Sequence, residues 1–213
     1  MKVPVNASFP EKVKFALDKT KPGYSAQKKM APSNRQKKPA IKYETCMLSA
    51  VLICLYPKST EWHICFMKRT KDNTVHSGQI SFPGGKYEQT DILIQETAIR
   101  EAQEEMNIAC SGKDIVGILS SLYVPPSNFL IYPVVVCLPK APEFKPNPFE
   151  VDAIIEVKLS DIFNDQAKKI KKIDRGEIQF DIPYYKIDSH QIWGATAMIL
   201  SELEQMLKKY NLV

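Results

Sequence analysis

The sequence predicts a layered fold of strands and helices, either an α/β or an α+β sandwich. Two observations lead to this fold class. Short apolar runs separated by turn residues recur along the chain, which is typical of strands. Two longer segments, 91–106 and 195–210, carry apolar residues at helical spacing. Strands interleaved with helices favour a layered α/β architecture.

The predicted strands have the length and the apolar composition of buried β-structure. They cover residues 46–55, 62–67, 79–82, 115–123, 130–138, 151–157, 178–187 and 191–193. The connections contain turn formers, such as Pro125-Pro126-Ser127-Asn128. A first amphipathic helix is expected over residues 9–19.

The composition is that of an ordinary globular protein of 213 residues, with 44% hydrophobic and 25% charged residues. No apolar run approaches the ~20 residues that cross a bilayer, and the first nine residues lack the apolar core of a secretory signal. We therefore expect a cytoplasmic protein with no membrane association. The five cysteines are scattered and form no CxxC pair, which predicts reduced thiols.

The net charge of +5 is concentrated in one segment. The basic residues between positions 20 and 40, where no acidic residue occurs, are Lys21, Lys28, Lys29, Arg35, Lys37 and Lys38. We interpret residues 1–40 as an N-terminal helix and basic extension packed on a domain formed by residues 41–213. The extension itself contains three prolines and is expected to lack regular structure. It is either a solvated, mobile stretch or a segment that meets a polyanion.

Three glutamates are grouped on the helix predicted over residues 91–106. On a helix that advances about 100° per residue, Glu101, Glu104 and Glu105 occupy an arc of about 100°, with Ile92 and Met106 roughly opposite. Such a cluster is either a solvated acidic face or a site for a cation, and Mg²⁺ and Mn²⁺ are the ions that prefer oxygen ligands.

The surrounding residues favour the cation site. Gly84 and Gly85 let the backbone approach closely, so that a carbonyl oxygen can join the carboxylates. Arg100 lies four residues before Glu104 and can brace the acidic cluster or reach back to Asp91. Asn107 follows the helix, where a left-handed backbone is often needed.

These residues resemble the Nudix box. The match is Gly85-x5-Asp91-x8-Arg100-Glu101-Ala102-x-Glu104-Glu105-x-Asn107-Ile108, beside the usual G-x5-E-x7-R-E-U-x-E-E-x-G-U, where U is aliphatic. Asp91 replaces a glutamate, the spacer to Arg100 is one residue longer, and Asn107 replaces a glycine. The resemblance implies an α/β fold, a Nudix-type α/β/α sandwich with a central mixed β-sheet, and an enzyme that hydrolyses a pyrophosphate bond.

The resemblance also implies roles for individual residues. Glu101, Glu104, Glu105 and the Gly84 carbonyl would hold Mg²⁺ or Mn²⁺, with the three glutamates and Arg100 as catalytic residues. The general base would come either from the box or from Glu150, which precedes an apolar strand. The alternative reading of Glu150 is a solvent-exposed glutamate at a strand edge.

A second stretch is similar to the motif that precedes the box in coenzyme A pyrophosphatases. It reads Arg69-Thr70-x3-Thr74-x3-Gly78-x3-Phe82-Pro83-Gly84-Gly85, with Thr74 where the motif has an arginine. The likeness implies coenzyme A or a derivative as substrate, with 4′-phosphopantetheine and adenosine 3′,5′-bisphosphate as products. The predicted substrate-binding residues are Arg69, His76, Gly78, Phe82 and Gly85.

Other groups are candidates for contacts to the substrate. Lys68, Arg69 and the region of Lys28, Lys29 and Arg35 could meet the 3′-phosphate of coenzyme A. Phe129 and Tyr132 either stack on the adenine or pack in the core.

Two alternatives stay open. One is another Nudix substrate: ADP-ribose, NADH or a nucleoside triphosphate. The other is a Nudix-like binding module without catalysis, although the basic segment carries only one aromatic residue, Tyr24, and no nucleic-acid partner is expected. The expected partner is a small nucleotide, and a homodimer is possible.

Overall fold

A computed structural model describes residues 7–71, 77–175 and 178–213 of the chain. The helices of these ranges are α1 (Phe9–Lys19), α2 (Tyr24–Gln27), α3 (Ile94–Met106), α4 (Leu159–Ile162) and α5 (Gly194–Lys209). The strands are β1 (Met47–Lys58), β2 (Glu61–Arg69), β3 (Ile80–Ser81), β4 (Gly84–Lys86), β5 (Ile115–Ile118), β6 (Leu122–Val124), β7 (Phe129–Cys137), β8 (Val151–Lys158), β9 (Lys168–Arg175), β10 (Ile178–Ile187) and β11 (His190–Trp193).

The central sheet is mixed and has β1 near its middle. Its order is β3-β2-β1-β7-β5, with β8 on the outer edge of β2 and β6 beside β7. β1 runs antiparallel to β2 and parallel to β7. The residues from Leu52 to Tyr56 are all buried, as expected for a strand whose two faces are both covered.

A short segment lies inside the sheet, between β1 and β2. These strands pair only near their connecting turn and then separate. β3 fills the gap on the β2 side and β4 on the β1 side, while the N–H of Leu52 donates to the carbonyl of Pro83 over 2.8 Å. Gly84 and Gly85, the first residues of β4, are therefore placed directly beside β1.

Helices cover the two faces of this sheet. On one face, Ala98, Ala102 and Met106 of α3 are fully buried in a cluster that includes Leu52 and Cys54 of β1. On the other face lie α1, α4, α5 and the smaller antiparallel sheet β9-β10-β11. The predicted α/β/α sandwich with a central mixed sheet is confirmed.

The basic extension has more structure than the sequence indicated. It contains α2 and two short 3-10 turns, and Ala26, Gln27 and Met30 are buried. The reason is a buried carboxylate on α5: Glu202 accepts hydrogen bonds from Gln27 Nε2 at 2.8 Å, from the N–H of Gly23 at 3.0 Å and from the N–H of Ser120 at 3.2 Å. The expectation of an irregular segment was wrong, because these hydrogen bonds and the few apolar residues of the segment attach it to α5.

The thiols and the helix lengths can also be compared with the sequence-based predictions. All five cysteines are free, and three of them, Cys54, Cys65 and Cys137, are buried. Within the described ranges, no helix combines the length and the apolar character that crossing a bilayer requires.

Candidate active site

Two side chains of the motif determine where helix α3 begins and where it ends. Glu96 Oε2 accepts from the N–H groups of Ile92 at 2.7 Å and Leu93 at 3.2 Å, which are left without partners at a helix start. Asn107 adopts the left-handed conformation, with φ 59° and ψ 38°, and ends the helix. The helix starts at Ile94, three residues later than predicted. Ile92, which was expected on the apolar face of the helix, precedes it and is exposed.

The last carbonyl groups of α3 are satisfied by a returning segment of the chain. The N–H of Lys145 donates to the carbonyl of Met106 at 3.1 Å, and the N–H of Asn147 donates to that of Glu105 at 2.8 Å. Asn107 Nδ2 donates to the carbonyl of Glu143 at 2.8 Å. These bonds bring the start of β8 beside the end of the helix that carries the three glutamates.

Glu101 lies directly over Gly85. A Cβ atom built on Gly85 would overlap the carboxylate of Glu101, so a side chain at this position would displace that carboxylate. Gly84 is equally constrained, since its φ is 152° and a Cβ would overlap the backbone of β1 at Ala50 and Val51. The pair of glycines thus sets how closely α3 and its carboxylates approach the sheet.

Glu105 is the most deeply buried of the three glutamates, with 2% of its side chain exposed. Its Oε2 accepts the N–H of Gly84 at 2.8 Å, and its Oε1 lies 3.8 Å from Arg69 Nη1. Burial outweighs these contacts and raises the pKa of Glu105 to about 8. Burial also raises the pKa of Glu101. For both carboxyl groups, burial outweighs the favourable charges and hydrogen bonds around them.

Arg100 braces the cluster from the other side. Its Nε and Nη2 donate to the two oxygens of Asp91 at 3.1 and 3.2 Å, and its Nη1 donates to Glu101 Oε1 at 3.0 Å and lies 3.5 Å from Glu104 Oε2. Asp91 also accepts from Thr97 Oγ1 at 2.8 Å. The shorter acid and the longer spacer of this box therefore still permit an arginine–carboxylate pair.

Glu104 and Glu150 complete the acidic group. Glu104 is 56% exposed. Glu150 is exposed and accepts a hydrogen bond from Asn147 Nδ2 at 3.1 Å. Its negative charge contributes to the raised pKa of both Glu101 and Glu105, which places Glu150 within electrostatic range of these two groups.

The predicted substrate-binding residues divide into different environments. Arg69 and Gly85 lie at the site, as described. Gly78 occupies a turn with φ 66° and donates its N–H to the carbonyl of Thr70 at 3.2 Å. Phe82 is 2% exposed and packs against Phe66 in the cluster on the face opposite α3, and its role in substrate binding stays a prediction. His76 lies outside the described residues.

Other candidates are placed away from the glutamates. Lys28, Lys29 and Arg35 belong to the extension that packs on α5, on the opposite face of the sheet from α3, and this position does not support a contact to the substrate. Tyr132 is partly buried in the cluster beneath α3. A cleft of about 500 Å³ at the far end of β2, lined by His63 and Lys158 among others, contains none of the predicted site residues.

Sequence reasoning missed two features of the site. Asn147, which bonds both α3 and Glu150, follows a proline-rich stretch that gives no local signal of a helix contact. The hydroxyl of Ser81 is buried and has no hydrogen-bond partner among the described residues. It pairs across the sheet with Met67, on the face that also carries Arg69. An orphaned hydroxyl of this kind fits a site that receives a polar ligand.

The carboxylates do not converge on one point in this structure. Among residues 7–71, 77–175 and 178–213, no group of three or more His, Cys, Asp or Glu side chains has the arrangement of a metal site. Glu101 and Glu104 are instead turned to Arg100, and Glu105 to Gly84. The groups that could bind a metal nevertheless offer only oxygen atoms, and the glycine backbone beside them leaves room for the carboxylates. Oxygen ligands of this kind suit a hard cation.

The comparison with known families decides the identity of this arrangement. The model of the NUDIX domain matches residues 47–178, which include β1, the glycine pair, α3 and Glu150. The chain belongs to the Nudix family.

Individual relatives agree with the family match. Nudix hydrolase NudL of Photorhabdus laumondii, described as uncharacterized, is 34% identical over 74% of this chain and 81% of its own. Nudix hydrolase 22, chloroplastic, of Arabidopsis thaliana is 32% identical over 93% of this chain and 67% of its own. The human mitochondrial coenzyme A diphosphatase NUDT8 is 31% identical over 62% of this chain and 57% of its own.

The comparison with solved structures supports the same fold. A MutT/nudix family protein from Enterococcus faecalis superimposes with a TM-score of 0.57 at 12% identity, covering 83% of this chain and 66% of the other. This Nudix protein is therefore a hydrolase of pyrophosphate bonds, and the relatives confirm the resemblance to the coenzyme A pyrophosphatase group.

The Asp91–Arg100 pair predicts a pH-dependent stability of this Nudix domain. The hydrogen bonds from Arg100, the N–H of Glu88 and Thr97 lower the pKa of Asp91 to about 2, below the ~3.9 of an unfolded chain. A lowered pKa stabilises the folded state above the unfolded pKa, and this contribution is lost as the pH falls from about 4 to about 2. Asp91→Asn should therefore lower the free energy of unfolding by about 2 kcal/mol at pH 7.

Urea denaturation of both proteins between pH 2 and 7 measures this effect. The difference between them should shrink toward pH 2, where protonated Asp91 resembles asparagine. Asp18→Asn, at an exposed position of α1, is the control. A difference that does not depend on pH would contradict an ionised Asp91 paired with Arg100.

Proposed function

We propose that this Nudix hydrolase splits the pyrophosphate of coenzyme A or its derivatives into 4′-phosphopantetheine and adenosine 3′,5′-bisphosphate. One observation carries the catalytic part: Glu101 and Glu105 are held against the Gly84–Gly85 backbone, where burial raises the pKa of both carboxyl groups. The human relative NUDT8 is named a coenzyme A diphosphatase, and this relative together with the motif around Arg69 supports coenzyme A as the substrate.

A divalent cation, Mg²⁺ or Mn²⁺, is the proposed cofactor. Glu101, Glu104, Glu105 and the Gly84 carbonyl are the groups that would hold it, because they offer only oxygen atoms and their burial is offset by a positive ion. When bound, the cation supplies positive charge against the negative charge of the phosphates. Carboxylates grouped on one arc of a helix repel one another unless a positive ion lies among them.

The protein's own groups position and deprotonate the reactants. Arg100 is a positioning residue, since its bonds to Asp91 and Glu101 set the orientation of the latter. Glu150 is the proposed general base: it is exposed, lies in electrostatic range of Glu101 and Glu105, and can accept the proton of the attacking water. The guanidinium of Arg69, about one-third exposed beside Glu105, is the proposed contact to a substrate phosphate.

The expected partner follows from this reaction. The partner is a small nucleotide, while a homodimer and a cytoplasmic location stay predictions.

The proposed function is tested with the purified protein, Mg²⁺ or Mn²⁺, and a panel of coenzyme A, ADP-ribose, NADH and nucleoside triphosphates. Chromatography should show coenzyme A split into the two named products at the highest kcat/KM, with Glu105→Gln at least about 100-fold less active. Preference for ADP-ribose, NADH or a nucleoside triphosphate would overturn the substrate and leave the pyrophosphatase. No cleavage with either metal, combined with retained nucleotide binding, would favour the non-catalytic module.

The proposed base is tested by Glu150→Gln. The amide oxygen of glutamine can still accept the Asn147 hydrogen bond, so the local structure should persist while the proton acceptor is lost. We expect kcat to fall by about 10²–10⁴-fold with KM little changed, as measured by steady-state kinetics. Turnover that stays within a few-fold of wild type would assign the base to the box instead.

Adding one methyl group to each glycine of β4 should affect different properties, activity at Gly85 and stability at Gly84. In Gly85→Ala the methyl group meets only the carboxylate of Glu101, the flexible end of a side chain, so folding should survive while kcat falls by about 100-fold or more. In Gly84→Ala the methyl group meets the backbone of β1 at positive φ, so the melting temperature should fall.

Thermal unfolding and kinetics of the same preparations separate these effects. Gly112→Ala is the matched control, because nothing lies within 4 Å of its Cβ position, and both properties should stay near wild type. Full activity in Gly85→Ala would contradict the placement of Glu101.

A further inference from the structure

Phe149 is a phenylalanine that the structure leaves in solvent. Its side chain is 87% exposed, the largest exposed fraction among the large hydrophobic residues of the described ranges. An exposed phenyl ring forgoes the free energy that its burial would contribute. A single exposed apolar residue needs no explanation by itself, but the setting of this one is specific.

The backbone of Phe149 is held on both sides. Its N–H donates to Asn147 Oδ1 at 3.1 Å, and its carbonyl accepts from Thr70 Oγ1 at 3.0 Å. The next residue is held too, since the N–H of Thr70 donates to the carbonyl of Glu150 at 3.0 Å. The ring is therefore presented from a fixed backbone, so that little conformational freedom remains to be lost when a ligand contacts it.

The same contacts place Phe149 at the edge of the acidic site. Asn147 is bonded to the carbonyl of Glu105 on α3, and Thr70 directly follows Arg69, whose guanidinium lies 3.8 Å from the carboxylate of Glu105. Phe149 thus lies between two segments that both reach Glu105, and it directly precedes the proposed base.

We infer that Phe149 stacks on the nucleobase of the substrate. The inference rests on the proposed function, since it assigns the adenine of the same substrate to this residue. A flat, neutral ring on a rigid backbone is suited to the flat face of a base. The phosphates go to the charged groups beside it, and the flexible pantetheine arm gains less from a fixed planar partner.

The experiment measures equilibrium binding of the two product halves in the presence of Mg²⁺ by calorimetry. Adenosine 3′,5′-bisphosphate carries the base, and 4′-phosphopantetheine carries a phosphate without it. Phe149→Ala should weaken binding of the first by roughly 5- to 150-fold, equivalent to about 1–3 kcal/mol for one stacked base, and leave the second unchanged. Phe149→Trp should restore it.

Ile170→Ala is the control, because Ile170 is 66% exposed on β9 and away from the glutamates; it should bind both ligands like wild type. Equal binding of adenosine 3′,5′-bisphosphate by wild type and Phe149→Ala would overturn the inference, as would a loss confined to 4′-phosphopantetheine, which would assign the ring to the arm.

AMP and ADP-ribose, added to the binding panel, separate this inference from the substrate assignment. If wild type prefers to cleave ADP-ribose and Phe149→Ala weakens AMP and ADP-ribose binding, coenzyme A fails as the substrate and the stacking stands. If wild type cleaves coenzyme A and the variant binds every adenine ligand normally, the stacking fails alone. Failure of wild type to bind any adenine ligand overturns the stacking as well.

Discussion

The close approach of the β4 backbone to its neighbours is the constraint on which the site depends. β1 and β2 separate, and the chain passes between them with two glycines that face β1 on one side and Glu101 on the other. Any side chain at Gly84 would push the segment out of the sheet, and any side chain at Gly85 would push the carboxylate away. The position of α3 over the sheet, and so the position of all three glutamates, follows from this contact.

The elements that the sequence predicted well are those whose signal is local. The apolar strands β1, β7 and β8 and the helix α5 have a periodicity that survives in the fold. β9 was missed because its sequence, KKIKKIDR, carries so many lysines that only its pairing with β10 makes it a strand. The basic extension was misjudged for a related reason: its structure depends on Glu202, which lies far away in the sequence.

The site shows the same division. The three glutamates, Arg100 and the glycine pair lie on one continuous motif, so their proximity could be deduced from helix geometry. Phe82 belongs to the neighbouring motif and lies between β3 and β4, yet its side chain packs in the apolar cluster on the opposite face, which a motif alone does not reveal. The hydrogen bonds between residues 143–147 and the end of α3 could not be foreseen, because they join segments that are far apart in the sequence.

Ala98 and Ala102 do more than contribute to the apolar core. Both are fully buried where α3 meets the sheet, and their small size sets the distance between the helix axis and the strands below. A bulkier residue at either position would raise the helix from the sheet, although alanine carries no functional group of its own. Substitutions that change the distance between α3 and the sheet should therefore be tolerated least, even where they lie away from the reacting groups. The methyl groups of the two alanines, although chemically inert, help to align the site.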